Sequence, residues 1–268
     1  MSAASLTQGA HAALMMCDPT RKVAATRALQ TAWDAGRAVA GEEAAAVPVP
    51  VPGRPARPRL VPPRVLPKRG LGSREGRAAL IHALCHIEFN AINLGLDAVY
   101  RFRGLPPAYY GDWLRVAAEE ALHFELLQAH LASLGYAYGD FDAHDGLWEM
   151  ACETAHDVVA RMALVPRVLE ARGLDVTPGL MERLAAAGDA RAVEILTIIL
   201  RDEKGHVAVG SRWYRYACAA RGLEPGATFK ALIARHMKGR LKGPFHWEAR
   251  REAGFSDDEM TFLEGLDA

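Results

Sequence analysis

The chain has 268 residues, half of them hydrophobic, and its 32 basic and 32 acidic residues cancel. That length can bury a sizeable core, while the balanced charge names no partner. There is no uninterrupted run of 18 apolar residues and no basic N-terminus followed by an apolar stretch, which argues against a membrane span or a signal peptide and for a cytoplasmic protein.

Residues 1–45 are alanine-rich, and the spacing of Ala12, Leu14 and Met15, then Val23, Leu29 and Trp33, predicts one or two short helices. From Val47 to Gly72 the character changes. Pro48, Pro50, Pro52, Pro55, Pro58, Pro62, Pro63 and Pro67 forbid a regular helix and favour extended chain. This arm carries Arg54, Arg57, Arg59, Arg64, Lys68 and Arg69 without an acid. It reads as a strap across a helical body, with a contact to phosphate or nucleic acid as the alternative.

Ser73 suits an N-cap, and a first long helix is expected from there to about Arg103, stopped by Gly104-Leu-Pro-Pro. A second is expected from about Gly111 to Gly135, before a turn-rich crossover at Gly139–Gly146. The third starts near Leu147 and continues past Glu170, with a disturbance expected near Gly173 and Pro178. Gly188 breaks the chain again, Asp189 suits an N-cap, and the fourth helix runs to Gly222. A basic helix near 227–242 and an acidic end at 257–267 follow. Alternating β-branched segments are absent, so the fold class is all-α. The expected parts are an N-terminal segment and arm (1–72), a four-helix bundle (73–222) and a C-terminal extension (223–268). Cys17, Cys85, Cys152 and Cys218 have no metal-type spacing, and the last three read as reduced core residues.

The chemistry lies in two near-copies of one pattern. Glu88 precedes Glu120-Ala-Leu-His123 by 32 residues, and Glu170 precedes Glu203-Lys-Gly-His206 by 33. Positions i and i+3 of a helix share a face, so each Glu-x-x-His pair aims an oxygen and a nitrogen at one point. Four carboxylates and two imidazoles in this arrangement are what a two-metal site inside a four-helix bundle requires. Glu88 sits among Ile81, Leu84, Cys85, Ala91 and Ile92, Glu120 among Trp113, Val116, Ala117, Phe124 and Leu127, and Glu203 among Leu196, Ile199, Leu200 and Val207. Burying an unpaired carboxylate is costly, so acids on such faces need cations or donors. Buried salt bridges are the bland explanation, and the duplication argues against it. Glu119 and Glu125 have polar neighbours and read as solvated. On the third helix, Glu153-Thr-Ala-His156 competes with Glu170, which has Arg167 one turn before it. Periodicity does not choose between them, whereas the matched separations favour Glu170.

The runs His82-Ala-Leu-Cys-His-Ile-Glu88, Val116–Phe124, Leu169–Asp175 and Arg201–Val207 resemble a bacterial family of the ferritin-like superfamily, domain-of-unknown-function family 455. The likeness extends to Tyr138-Gly-Asp-Phe141, Leu147-Trp148 and Pro52-Gly-Arg54. It implies a ferritin-like four-helix bundle and a di-metal site at Glu88, Glu120, His123, Glu170, Glu203 and His206, and it supplies no reaction. Glu170-Ala-Arg172 and its spacing to Glu203 are more remotely similar to the di-iron hydroxylases that act on 2-methylthio-isopentenyladenosine in transfer RNA.

Hard carboxylates with one imidazole per metal suit two iron ions, with di-manganese or a mixed manganese–iron pair as alternatives. In this reading Glu120 and Glu203 bridge the metals, and Glu88, Glu170, His123 and His206 are terminal ligands. No catalytic residue beyond these ligands is expected. The expected function is an oxidoreductase of the hydroxylase kind, using molecular oxygen and an external electron donor. Iron handling or peroxide removal, and a structural or regulatory metal-binding bundle, are the competing readings. Lys230, Arg235, Lys238, Arg240, Lys242, Arg250 and Arg251 near the C-terminus raise RNA or a phosphorylated metabolite as a substrate, against the plainer reading of a solvated face paired with the acidic tail.

Overall fold

The computed structural model describes residues 4–41, 45–67, 69–237 and 241–266, so Lys68, Lys238, Arg240 and Asp267 lie outside the described residues. The fold is all-α. Strand pairing among the described residues is limited to two short parallel contacts, β1 (Ala4–Ser5) with β2 (Ala38–Val39) and a bridge from Leu60 to Ala143. The chain divides into two compact units, one of Met1–Cys152 with Ala187–Ile195 and one of Glu153–Ala186 with Leu196–Ala268.

In the first unit, α1 (Leu6–Leu14) and α2 (Pro19–Asp34) precede the long helices α3 (Arg74–Arg101) and α4 (Pro107–Ser133), and α5 (Gly146–Glu153) follows. Each start has a local cause. The side chains of Ser5, Asp18 and Ser73 accept from backbone N–H groups in the first turns of α1, α2 and α3, and Pro107 opens α4, where its missing N–H costs nothing. The arm is tied along its length. Gly53 N–H donates to the Leu14 carbonyl (3.0 Å), Trp148 Nε1 to that of Pro50 (3.2 Å), and Arg59 pairs with Asp142 (2.5 Å).

α3 sets the core of this unit, being buried on every side from Glu88 to Tyr100. By length and composition it could cross a membrane, but most of its apolar stretch is buried within the protein. A Cβ on Gly95 would stand 2.9 Å from the Ala117 Cβ and 3.2 Å from its Cα, so glycine permits the close approach of α3 and α4. The polar groups this helix buries have partners: Asp97 pairs with Arg101 (2.7 Å), and Asn93 accepts from the fully buried ammonium of Lys22.

The second unit holds α6 (Val158–Leu164), a π-helical turn (Val165–Glu170), α7 (Ala171–Ala186), α9 (Pro225–His236), α10 (Trp247–Glu252) and α11 (Asp257–Gly265). α8 (Ala190–Ala220) begins in the first unit and continues through the second. Gly188 and Gly222, both with positive φ, bound it, and Asp189 caps it by accepting from Ala192 N–H (3.1 Å).

The disturbance expected near Gly173 and Pro178 lies elsewhere. α7 passes through both, whereas the chain breaks before Asp157, the N-cap of α6, and widens into the π-turn at Val165–Glu170. Pro166 is the breaker: it has no N–H for an i→i−4 bond, and the widened turn accommodates its ring. Cys85 and Cys218 are buried as expected, but Cys152 is exposed, because α5 turns that position outward at its last turn.

Lys22 Nζ also donates to the Leu14 carbonyl (2.7 Å) and lies 5.1 Å from the centre of the Phe89 ring. Burial pushes its pKa from 10.5 down to about 7, with Cys17 opposing weakly. Between these values the unfolded chain binds the proton and the folded chain does not, so stability rises with pH from about 7 to about 10.5. We expect urea-unfolding free energies to show that slope in the parent and to lose it in Lys22→Met. Equal slopes in the two proteins would contradict the assignment.

Candidate metal centre

Glu88 lies midway along α3, and Glu120 and His123 lie one turn apart on α4. The Gly95–Ala117 approach is what brings them together, because Gly95 is two turns from Glu88 on the same face and Ala117 is one turn before Glu120. His123 Nδ1 is 3.1 Å from Glu120 Oε2 and 3.3 Å from Glu88 Oε2. One ligand atom from each of the three lies within 4.8 Å of the others. All three side chains are buried, Glu120 and His123 at 0% exposure.

Phe89 and Phe124, each next in sequence to a member of this group, pack with ring centres 5.7 Å apart, and Tyr138 stands edge-on to Phe124 at 5.3 Å. Buried Trp113, Val116, Ala117 and Leu127 complete the apolar surroundings of α4. Low local polarity magnifies the electrostatics. Burial, and after it the adjacent Glu120 carboxylate, pushes the Glu88 pKa well above its ordinary range, and the hydrogen bond to His123 opposes this only in part. Burial opposes a charge on His123, but its hydrogen bonds to Glu120 and Glu88 outweigh that and hold its pKa up at about 11.

The donor set therefore fits a cation. Two buried carboxylates share one imidazole, and in the metal-free chain a proton on that imidazole supplies the positive charge that a metal would supply instead. Oxygen and imidazole donors are those that iron, manganese and zinc accept.

In the second unit, Glu203 and His206 occupy one face of α8, with His206 Nδ1 3.8 Å from Glu203 Oε1. Both are buried, His206 at 0% exposure. Glu170 closes the π-turn and is half-buried. Among the described residues it does not belong to a set of three donors within 4.8 Å of one another. Glu153 and His156 face outward, with Glu153 beside His236 (3.7 Å). Glu119 and Glu125 pair with Arg115 (3.4 Å) and Arg27 (2.5 Å).

A polar layer that sequence reasoning passed over lines α3 behind Glu88. Tyr138 OH is 2.8 Å from His86 Nδ1, whose Nε2 is 3.0 Å from the His144 carbonyl and 3.1 Å from Asn90 Nδ2. His82 Nε2 accepts from Gly139 N–H (3.0 Å). Burial lowers the pKa of both histidines to about 4. The signal was present in the four-residue spacing of His82, His86 and Asn90 on one helical face.

The family described as "Protein of unknown function (DUF455)" matches residues 15–261 of the chain. A Haemophilus influenzae protein described as "Uncharacterized protein" is 52% identical over 216 residues, covering 78% of this chain and 75% of that one. No solved structure matches.

A site selected for a cation and a buried salt bridge respond oppositely to removal of one acid. In metal-free protein, Glu120→Gln is expected to leave the thermal midpoint unchanged or raise it, because one of two repelling acids is gone. In the parent, a metal at a hundredfold excess over its Kd adds about 2.7 kcal/mol, and Glu120→Gln is expected to lose that gain. Unfolding scans with and without metal check both signs. A metal-free loss of about 3–5 kcal/mol, as for a broken buried ion pair, would assign the group to structure.

Proposed function

The chain belongs to the DUF455 family, and we propose that it is a di-iron carboxylate protein, an oxygen-activating oxidoreductase of the hydroxylase kind with a ferritin-like arrangement of its long helices. The observation that supports this most strongly is the buried convergence of Glu88, Glu120 and His123. The same Glu-x-x-His spacing recurs at buried Glu203 and His206 on α8. A single such group would suit a lone structural ion, whereas the repetition suits a pair of metals.

In this reading Glu88, Glu120 and His123 hold one ion, and Glu170, Glu203 and His206 hold the other. When bound, two ferrous ions supply the electrons that reduce oxygen, and an external donor restores them. The chain's own residues do the rest. Glu88 and Glu120 supply hard anionic donors that favour the oxidised metal, and His206 and, once its proton is displaced, His123 supply one imidazole donor each. Binding a metal in place of the proton on His123 makes affinity rise with pH. Phe89 and Phe124 exclude bulk water from the α3–α4 side.

Of the C-terminal cations, Lys230 pairs with Asp258 (2.7 Å), Arg251 with Asp257 (2.8 Å) and Arg250 with Asp175 (2.7 Å). Arg57 and Arg64 on the arm are exposed, as are Arg235 and Lys242 near the C-terminus, and either set by itself offers charge to the phosphate of a metabolite or of RNA.

Metal analysis of protein from iron-supplemented cells, followed by anaerobic reduction and mixing with oxygen under optical observation, tests the reading. About two irons per chain and a transient absorption that forms with oxygen are expected. Many irons per chain would favour iron storage. Absence of bound metal, with Glu120→Gln destabilising the metal-free protein, would leave a helical scaffold with buried ion pairs.

A further inference from the structure

Three residues before Glu170, Arg167 is 1% exposed. Its Nε donates to Ser211 Oγ (3.1 Å) and its Nη2 to Glu259 Oε2 (2.8 Å). The guanidinium carbon lies 4.4 Å from the centre of the Phe255 ring, 4.5 Å from that of Phe229 and 4.8 Å from that of Tyr214. Glu259 is fixed in turn, since it forms the capping box of α11 with Ser256. Beyond Glu170, Arg172 donates to the Pro244 carbonyl (2.9 Å), and Asp175 accepts from His246 N–H (2.8 Å) and from Arg250 Nη2 (2.7 Å). The C-terminal segment therefore grips the chain on both sides of Glu170.

The π-turn, Val165–Glu170, contains Arg167 and ends at Glu170, so the first grip holds it from within. Widening a helix from i→i+4 to i→i+5 bonding rotates every later side chain about the axis, relative to the α-helical register. In an α-helix, Arg167 and Glu170 would share a face and could pair. Here Arg167 instead pairs with Glu259, 92 residues away. A wide turn has poorer backbone bonding than an α-helix and persists only where surroundings hold it. The turn also packs tightly on α8, where a Cβ on Gly210 would stand 2.4 Å from the Pro166 ring.

Stability alone does not call for a buried guanidinium here. Apolar side chains of similar volume fill such sites as well or better, and buried ion pairs are at their most useful when they fix one register among several. We infer that Arg167 is a positioning residue for Glu170: its grip by Glu259 and the aromatic cage holds the π-turn in the register that sets where the Glu170 carboxylate stands. The C-terminal segment thereby tunes affinity for the metal ion assigned to Glu170, Glu203 and His206. This inference rests on the two-metal reading.

The test uses the full chain and an anaerobic titration with ferrous ion, counting bound ions by equilibrium dialysis. The double variant Arg167→Met, Glu259→Gln removes both charges together and leaves neither one buried alone. It is expected to unfold at the parent's temperature or above and to bind its first ion as the parent does. Binding of its second ion is expected to weaken about 10–100-fold, as when an outer partner of a metal ligand is lost. Arg167→Lys, which keeps the charge, should recover part of that loss. Amide exchange should quicken over residues 165–170. A folded double variant that binds both ions like the parent overturns the inference and leaves the two-metal reading intact. A parent that binds no second ion overturns both. If the double variant does not fold, Phe255→Leu, which trims one wall of the cage, is read by the same criteria.

Discussion

The architecture around the candidate centre depends on one close contact, the passage of Gly95 against Ala117. It lets α3 and α4 approach closely enough for the carboxylates of Glu88 and Glu120 to meet at the ring of His123. Any larger residue at position 95 would separate the backbones and relax the repulsion between the acids. A close approach of two backbones therefore enforces an unfavourable contact between two acids. Packing adapted for stability alone would spread these acids apart or replace them with apolar residues.

Other buried charges obey a different rule. Asp97 has Arg101, Arg167 has Glu259, and Arg250 has Asp175, each at 2.7–2.8 Å. In each, a guanidinium donates charge-assisted hydrogen bonds to a carboxylate, the form in which a buried charge is tolerable. Lys22 is satisfied another way, by a carbonyl, an amide oxygen and a ring face, and its lowered pKa shows that these do not fully replace water. Glu88 departs from the rule: its neighbours include another acid, and burial first, then that Glu120 carboxylate, push its pKa up.

Much of this was legible in the sequence because it is local. Caps at Ser73 and Asp189, stops at Gly104 and Gly222, and apolar neighbours around Glu88, Glu120 and Glu203 are properties of single helices, and the structure shows them where the spacing put them. The all-α class followed from the same periodicity. Burial of the five residues Glu88, Glu120, His123, Glu203 and His206 was readable too, since each lies on an apolar face. What a single helix cannot encode is which faces meet. The meeting of Glu88 with His123 depends on the Gly95–Ala117 contact, and nothing in either helix alone announces it. Cys152 shows the same limit, because an apolar neighbourhood in sequence does not say which way the last turn of a short helix points.

The third long segment illustrates the limit most sharply. Pro178 looked like the breaker and is absorbed within α7, whereas Pro166 is where the helix widens. Intrinsic cost does not distinguish the two prolines, but surroundings do. Around Pro166 the chain is held by Arg167 in its aromatic cage, by Glu259 and by the close face of α8, so the wide turn becomes the favoured state there. The burial of Arg167, one turn before Glu170, was therefore not legible in the sequence, because its partner lies 92 residues further on. In the basic C-terminal stretch Lys230 and Arg251 do pair with Asp258 and Asp257 of the acidic tail, and Arg250 is the exception. Arg250 reads as a surface charge until Asp175 is seen to bury it. Local sequence specifies which helices form, and distant charges specify the register of the one segment where an ordinary helix would present Glu170 differently.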